Sequence, residues 1–258
     1  DYTSFSLGAS YTKEWNSGNS EINFVGQAFI DQWLIILPYE LRGRVEAPNN
    51  KRQSFNGQVN YSQVLTKRLQ MGLSAEFVQM TGLLSTPFHR VYFSDAATPA
   101  IEKLPNNRLK IPLGIRLNYY PKDFLIFRSY YRYYWDDFGI VGHTAELETP
   151  IKVSPYFTVG PFYRYHTQAG SKYFAGYKAH LSSDMFYTSD YDLSTFDSHK
   201  YGITLRYSPL YGLLRTKEIP VVKRSFMFKY IEARLGTYHR TTGLNAYFVS
   251  LNLGFNFK

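Results

Sequence analysis

The chain has 258 residues, a formal net charge of +9 and no cysteine. Without cysteine it has no disulfide scaffold, no cysteine-ligated metal site and no cysteine nucleophile. The chain shows no apolar run of about 18 residues, the length that a transmembrane helix needs. Its Lys and Arg residues are scattered rather than concentrated in a patch, so the positive charge does not indicate a nucleic-acid partner.

Alternation between apolar and polar positions is the strongest pattern in the sequence. Between residues 108 and 120, odd positions are apolar or aromatic and even positions are almost all polar or small. About eleven segments alternate in this way. They lie near 2–14, 20–33, 52–64, 67–80, 108–120, 124–135, 139–149, 155–166, 199–208, 225–240 and 243–257. Most exceed the five or six residues of a usual soluble strand, and a tilted membrane-spanning strand needs about 9–11.

The polar positions favour a membrane protein over a soluble sandwich, because they are rich in Ser, Asn, Gln, Gly, Arg and Tyr. We therefore predict an all-β fold over residues 1–258, a transmembrane antiparallel up-and-down β-barrel of about 12 strands whose apolar face meets the lipid bilayer. Aromatic residues near the strand ends of that face predict an interfacial girdle. The predicted girdle consists of Tyr119, Tyr131, Tyr133, Trp135, Tyr163, Tyr165, Phe255 and Phe257.

Short and long connections alternate along the chain. Predicted short turns lie at residues 15–20, 65–66, 121–123 and 150–154, and long connections lie at about 34–51, 81–107 and 167–198. Outer-membrane barrels place long loops outside the cell, so the last strand runs from the outside to the inside. Such barrels have an even number of strands, and about eleven are found here, so we expect a twelfth strand before residue 1. A further long connection, 209–224, lies on the inner side. Phe257 resembles the aromatic signal that the outer-membrane insertion machinery recognises. We therefore expect that machinery to be a partner.

Parity assigns charged residues to the inside of the barrel, among them Asp31, Glu76, Lys110 and Arg116. Eight more are singled out as lining the lumen: Arg128, Arg132, Glu146, Glu148, Arg164, Arg206, Glu232 and Arg234. In one interpretation these charges pair across a narrow lumen and fill it, because an unpaired buried charge is costly. In the other they line a solute path. We favour a filled lumen, since twelve strands enclose little space and aromatic side chains also point inward: Phe29, Tyr130, Phe162, Phe228 and Tyr230.

The 167–198 connection is rich in aromatic and acidic residues. Its aromatic residues, which form a candidate partner loop, are Tyr173, Phe174, Tyr177, Phe186, Tyr187 and Tyr191. Such a loop either packs over the barrel mouth or presents a surface for a partner, and the sequence favours neither. Asp190 and Asp192 suggest a calcium site, but the spacing of an EF-hand is absent.

No catalytic, metal or cofactor site is predicted. Ser129, His143 and His239 fall on the outward parity, as a lipid hydrolase would require, but no Gly-x-Ser-x-Gly motif accompanies them. The six His residues show no metal-ligand spacing, and no Gly-rich phosphate loop occurs. We expect the protein not to be an enzyme.

Several blocks of sequence carry a resemblance to a known family. They are Tyr133-Tyr134-Trp135-Asp136-Asp137-Phe138-Gly139-Ile140, His143-Thr144-Ala145-Glu146-Leu147-Glu148, Pro161-Phe162-Tyr163-Arg164-Tyr165-His166-Thr167-Gln168, Ser189-Asp190-Tyr191-Asp192-Leu193-Ser194, Leu65-Thr66-Lys67-Arg68 and Thr86-Pro87-Phe88. From about residue 50 onward, the chain resembles a family of uncharacterised outer-membrane proteins, a domain of unknown function found in Bacteroidota and Proteobacteria. The resemblance implies an additional N-terminal strand. It also implies gene neighbours that encode a flavin transferase, a thioredoxin-like protein and a short lipoprotein.

Three functions remain open from the sequence. The first is a scaffold or an export or anchoring partner for a surface protein or small lipoprotein, acting through loops 81–107 and 167–198. The second is a passive channel or solute transporter with an Arg- and Glu-lined lumen. The third and least favoured is an outer-membrane lipid hydrolase.

Overall fold

The computed structural model describes residues 2–209 and 226–257, of which residues 226, 227, 256 and 257 are described by their backbone alone. Fourteen strands occur in this part of the chain. They are β1 (Tyr2–Trp15), β2 (Ser20–Trp33), β3 (Lys51–Thr66), β4 (Leu69–Gly82), β5 (Arg90–Val91), β6 (Ala100–Ile101), β7 (Asn107–Lys122), β8 (Leu125–Asp136), β9 (Val141–Glu148), β10 (Ile151–Lys152), β11 (Phe157–Ala169), β12 (Phe196–Tyr207), β13 (Phe226–Arg240) and β14 (Asn245–Phe257). Two short 3-10 helices span Tyr39–Leu41 and Tyr191–Leu193.

One large antiparallel sheet contains all of these strands except β5 and β6. Each strand pairs with its neighbours in chain order, and β9 and β10 occupy one position between β8 and β11. That position is interrupted at Thr149 and Pro150, where proline lacks the N–H group that a ladder needs. The predicted all-β, up-and-down antiparallel fold is therefore confirmed. The twelfth strand stays a prediction, and β1 and β14 form the two ends of the observed strand order.

The strand registers sort the side chains onto two faces. Leu113 of β7 pairs with Ala75 of β4 and with Tyr133 of β8, so apolar positions line up across strands. On the opposite face, Arg128 pairs with both Asn118 and Glu148. A slip of one residue would exchange the two faces, so the alternating pattern fixes the register.

The polar face is concave. Glu76 of β4 reaches Arg132 of β8 across the intervening strand, with 4.0 Å between the carboxylate and guanidinium. Phe162 of β11 packs against Phe248 of β14 across two strands, with ring centroids 6.2 Å apart. Glycine at 236, on the intervening β13, leaves room for the Phe248 ring, since a Cβ there would lie 2.5 Å from its Cζ atom. The sheet is thus curled in a barrel-like manner around its polar face.

The apolar face carries exposed apolar side chains. Leu7 of β1 is 70% exposed, and Val249 of β14 is 76% exposed. Both edge strands present alternate apolar residues, as do the strands between them. Among the described residues, no helix is long and apolar enough to span a membrane.

Buried apolar residues concentrate at one end of the sheet. There residues 34–50, 83–106, 137–140 and 170–195 pack together into a unit that we call the cap. The short β5–β6 hairpin lies within it, and backbone bridges join Phe93 to His180 and Lys103 to Tyr187. Val91 and Phe138 are almost fully buried in the cap, as is Leu41 of the first 3-10 helix. The cap therefore contains most of the buried apolar residues in the described part of the chain.

Two details differ from the sequence-based predictions. The turn between β3 and β4 lies at residues 67–68, two residues after the predicted position, because a bulge at residues 64–66 carries β3 further. Phe228 was predicted to point inward, but it pairs with Phe255 of the apolar face, and their ring centroids are 4.4 Å apart. A register shift between Phe228 and Tyr230 changes its parity. Most of the predicted inner connection 209–224 lies outside the described residues.

Candidate functional site

All eight charged residues predicted to line the lumen lie on the polar face. Three ion pairs that involve these residues link strands there: Arg128 to Glu148 at 3.7 Å, Arg206 to Glu232 at 3.7 Å and Arg132 to Glu76 at 4.0 Å. Within the hairpin of β8 and β9, the ion pair of Arg128 is thus with Glu148. These pairs are partly exposed, and each stabilises the sheet modestly.

Among the described residues, several other cations of the polar face form no ion pair with a carboxylate. Arg164 pairs in register with Glu146 on one side and with Lys200 on the other. The guanidinium of Arg234 lies 4.0 Å from the ring centre of Phe162, and the ammonium of Lys200 lies 4.4 Å from that of Phe248. Aromatic faces attract these cations without neutralising them. We call Arg164, Lys200 and Arg234 the cation group.

Cavities open on the polar face next to these charges. One of about 540 Å³ is lined by Arg116, Arg128, Glu146 and Glu148 among others. A second of about 450 Å³ lies beside Arg206 and Glu232. A small cavity of about 150 Å³ adjoins the cation group, with Arg164, Lys200, His166 and Tyr238 in its wall. Within the described residues, side chains therefore leave space over the polar face.

The most buried ion pair was not singled out by the sequence analysis. Asp136, at the end of β8, is fully buried and accepts hydrogen bonds from Arg108 at 2.5 Å and from the Tyr134 hydroxyl at 2.9 Å. Its second oxygen accepts the backbone N–H of Ile140 at 2.9 Å. The Asp-Asp-Phe-Gly turn of the sequence hints at a structured corner, but its partner Arg108 comes from another strand. This cluster fastens the cap to the sheet.

The six aromatic residues of the predicted partner loop divide into two groups. Tyr177 and Tyr191 are exposed, at 66% and 48%. The other four are partly buried and pack within the cap. Their contacts are Tyr173 with Phe138 and Phe186, Phe174 with Tyr191, and Tyr187 with Phe93 and His180. Four of the six residues thus pack within the cap, and the surface for a partner stays a prediction.

The cap exposes apolar side chains that the sequence analysis did not name. Tyr39 is 84% exposed and Met185 is 71% exposed, and Phe88 and Leu181 are about half exposed. They come from three different connections. A sequence offers no signal that separates these residues from the buried aromatic residues beside them, since both sets lie in irregular loops.

Asp190 and Asp192, the suggested calcium ligands, have different hydrogen-bond partners. Asp192 pairs with Arg240 at 2.6 Å, and Arg240 is largely buried at the end of β13. Asp190 instead accepts the backbone N–H of Asp192 at 2.9 Å. The two carboxylates therefore do not converge on one position.

The predicted girdle residues lie on the apolar face by their registers, apart from Phe257, whose side chain lies outside the described residues. Tyr131 and Tyr163 lie in the middle of β8 and β11 rather than near a strand end. The hydroxyls of two tyrosines form hydrogen bonds with neighbouring histidines: Tyr131 with His143 and Tyr163 with His199, both at 2.7 Å. Such pairs suit a surface that is apolar with a few satisfied polar atoms.

The outward Ser and His residues do not form a catalytic pair. Ser129 pairs with Leu147, and its hydroxyl donates to a β7 carbonyl at 3.3 Å. His143 lies four residues away along β9, bonded to Tyr131, and His239 bonds to Asn245. The lipid-hydrolase arrangement is absent from these residues.

Comparison with known proteins gives a family but no activity. No curated protein matches the chain. A family model described as "Protein of unknown function (DUF3570)" matches residues 1–209, which include β1 through β12. The match extends the resemblance, expected from about residue 50, to the start of the chain. The sheet up to β12, the cap and most of the charged polar face thus lie within the matched region, and the chain belongs to the DUF3570 family of proteins of unknown function.

Proposed function

We propose that the protein is an integral outer-membrane β-barrel of a Gram-negative bacterium, with its cap outside the cell as the binding surface for a surface protein or small lipoprotein. The proposal that the protein lies in the membrane rests on the apolar face of the sheet. Side chains such as Leu7 and Val249 are mostly exposed, and they continue across neighbouring strands. In water such a face would favour aggregation, whereas a bilayer would cover it.

The cap carries the binding part of the proposal. Its loops pack on a buried core, so its surface is ordered before any partner arrives, which reduces the entropic cost of binding. Exposed aromatic and sulfur-containing side chains on that surface, including Tyr39, Tyr177 and Met185, are of the kinds enriched at interfaces. The family resemblance, with its short-lipoprotein gene neighbour, supports a small lipoprotein as the partner.

A mild-detergent purification of the tagged protein from its native outer membrane tests the proposal. We expect the protein to fractionate with the outer membrane and to retain a partner in fixed stoichiometry, identified by mass spectrometry. Replacing Tyr39 and Tyr177 by Ser should release that partner without changing the barrel. The matched control replaces Tyr247, 90% exposed on the apolar face of β14, and should leave the partner bound. A soluble protein, or a barrel that never retains a partner, would contradict the proposal.

The cation group favours a second candidate, an anion-conducting path along the polar face. From β7 to β13, Arg and Lys outnumber Asp and Glu on that face, and cavities lie beside them. Clefts lined by one sign of charge concentrate ions of the opposite sign. Bilayer conductance should then be anion-selective. Replacing Arg164 and Lys200 by Gln should lower that selectivity, whereas Lys13→Gln on the apolar side should not.

A further inference from the structure

Three potential metal ligands from two separate connections meet in the cap. A ring nitrogen of His89, an oxygen of Glu102 and an oxygen of Asp190 all lie within 4.8 Å of one another. His89 and Glu102 flank the β5–β6 hairpin, where the Glu102 N–H donates to the His89 carbonyl at 3.0 Å. Asp190 comes from the other long connection, so neither segment alone supplies the cluster.

Glu102 is the unusual member of this cluster. Its side chain is buried, with the residue 4% exposed, yet no Arg or Lys among the described residues forms an ion pair with Glu102 or Asp190. Among the described residues, the hydrogen-bond donors to its carboxylate are neutral: the Thr188 hydroxyl and the Thr86 N–H, each at 2.5 Å. A bound cation would stabilise two neighbouring carboxylates of which one is buried.

Thr188 orients the two acidic ligands together. Its hydroxyl donates to Glu102, and the same oxygen accepts the Asp190 backbone N–H at 3.0 Å. Thr188 is itself fully buried, and it bridges to Phe174 through the backbone. The residues that hold the carboxylates in position are thus part of the core of the cap.

We propose that His89, Glu102 and Asp190 bind one divalent transition-metal ion, of which Zn²⁺ is the representative, and that this ion joins the two long connections of the cap. An imidazole nitrogen with carboxylate oxygens suits Zn²⁺ and related ions, whereas Ca²⁺ and Mg²⁺ prefer ligand sets made of oxygen alone. Three protein ligands leave further coordination positions for water, and His89 is exposed to solvent.

The test measures metal in the whole protein, purified in detergent, stripped with a chelator and dialysed against Zn²⁺. We expect one Zn²⁺ per chain, measured by mass spectrometry of the metal, and no loss of it in excess Ca²⁺. His89→Ala and Asp190→Asn should reduce bound Zn²⁺ to background. His89 is exposed, so its replacement tests the ligand without removing a core residue. Protein without stoichiometric Zn²⁺, or His89→Ala protein that keeps it, would overturn the proposal.

Two control variants and a second measurement complete the test. Asp95→Asn replaces another cap carboxylate, one that bonds Ser182, and His143→Ala replaces a histidine of the apolar face. Both should keep one Zn²⁺ per chain. Zn²⁺ should also slow proteolytic cleavage of the wild-type cap and leave the cleavage rate of His89→Ala unchanged. Equal protection of both proteins would count against the site.

Discussion

Phe138 of the cap is 1% exposed, whereas Phe5 of β1 is 65% exposed. The Phe138 ring packs edge-on against Tyr173 and lies beneath the guanidinium of Arg108, at 5.2 and 4.6 Å between centres. Fully burying such a side chain is worth about 1.5–3 kcal/mol. The cap obtains this stabilisation from its own packing. In the sheet, the apolar side chains gain this stabilisation only when another medium covers the apolar face. The strands themselves are held together by backbone hydrogen bonds.

This difference teaches where each part of the molecule is sensitive to change. Removing an apolar side chain from the cap leaves a cavity in protein. On the apolar face of the sheet the same removal leaves a gap that a fluid lipid would fill, but a charge placed there would have no partner. The predictions below follow from this contrast.

The largest effect is expected for Phe138→Ala. Truncation of a buried phenylalanine costs about 3–5 kcal/mol, and here it also exposes the cluster of Asp136 and Arg108 to water. We expect the cap to become protease-sensitive at much lower urea concentration in detergent solution. Phe88→Ala removes the same atoms from a cap residue that is 53% exposed and should change little. Similar sensitivity in both variants would mean that the cap lacks a true core.

The second effect tests the apolar face directly. Val59 and Gln58 are neighbours near the middle of β3, on opposite faces of the sheet. Val59→Arg places a charge among apolar side chains and should cost about 2–4 kcal/mol if lipid covers them. Gln58→Arg faces Glu76 and should be nearly neutral. Urea unfolding in lipid vesicles, followed by tryptophan fluorescence, measures both, and equal costs would remove the basis for a lipid-facing surface.

A smaller effect is expected where the cap meets β13. Asp192→Ala leaves the largely buried Arg240 without its carboxylate, and losing a hydrogen bond to a charged group costs about 1.5–3 kcal/mol. Because Asp192 itself is mostly exposed, we expect the lower end of that range. Asp137→Ala, a change at an exposed aspartate of the cap, is the control. Hydrogen exchange of the 191–198 segment should accelerate in the first variant alone.

Much of the sheet could be predicted from the sequence because strand alternation has a period of two. Once one apolar position such as Leu113 is placed, the parity of its whole strand follows. The eight charges were assigned to the polar face by this rule alone. It failed at Phe228, where a bulge changes parity without any signal in the sequence.

The cap could not be predicted in the same way. Its contacts join residues that lie far apart in the chain, such as Thr188 with Glu102 and Arg90 with Glu40, and no periodicity connects them. The aromatic residues of the 167–198 connection were recognised as a group, but their division into buried and exposed members depends on tertiary packing. The cluster of His89, Glu102 and Asp190 was missed for the same reason, since its ligands come from two connections.

The smallest effect is expected at the ion pair that joins residues 39–41 to the β5–β6 hairpin. Arg90 and a backbone hydrogen bond lower the pKa of Glu40 from its ordinary 4.5 to about 2, so the folded state favours the ionised carboxylate. Its contribution to stability is therefore present above pH 4.5 and is lost as the pH falls through about 2. The pair is exposed and screened by salt, so Glu40→Gln should lower the melting temperature only slightly at pH 7. Glu46→Gln, at another exposed glutamate of the same connection, should have no effect. If the difference between Glu40→Gln and the wild type persisted below pH 2, the ion pair would not be its cause.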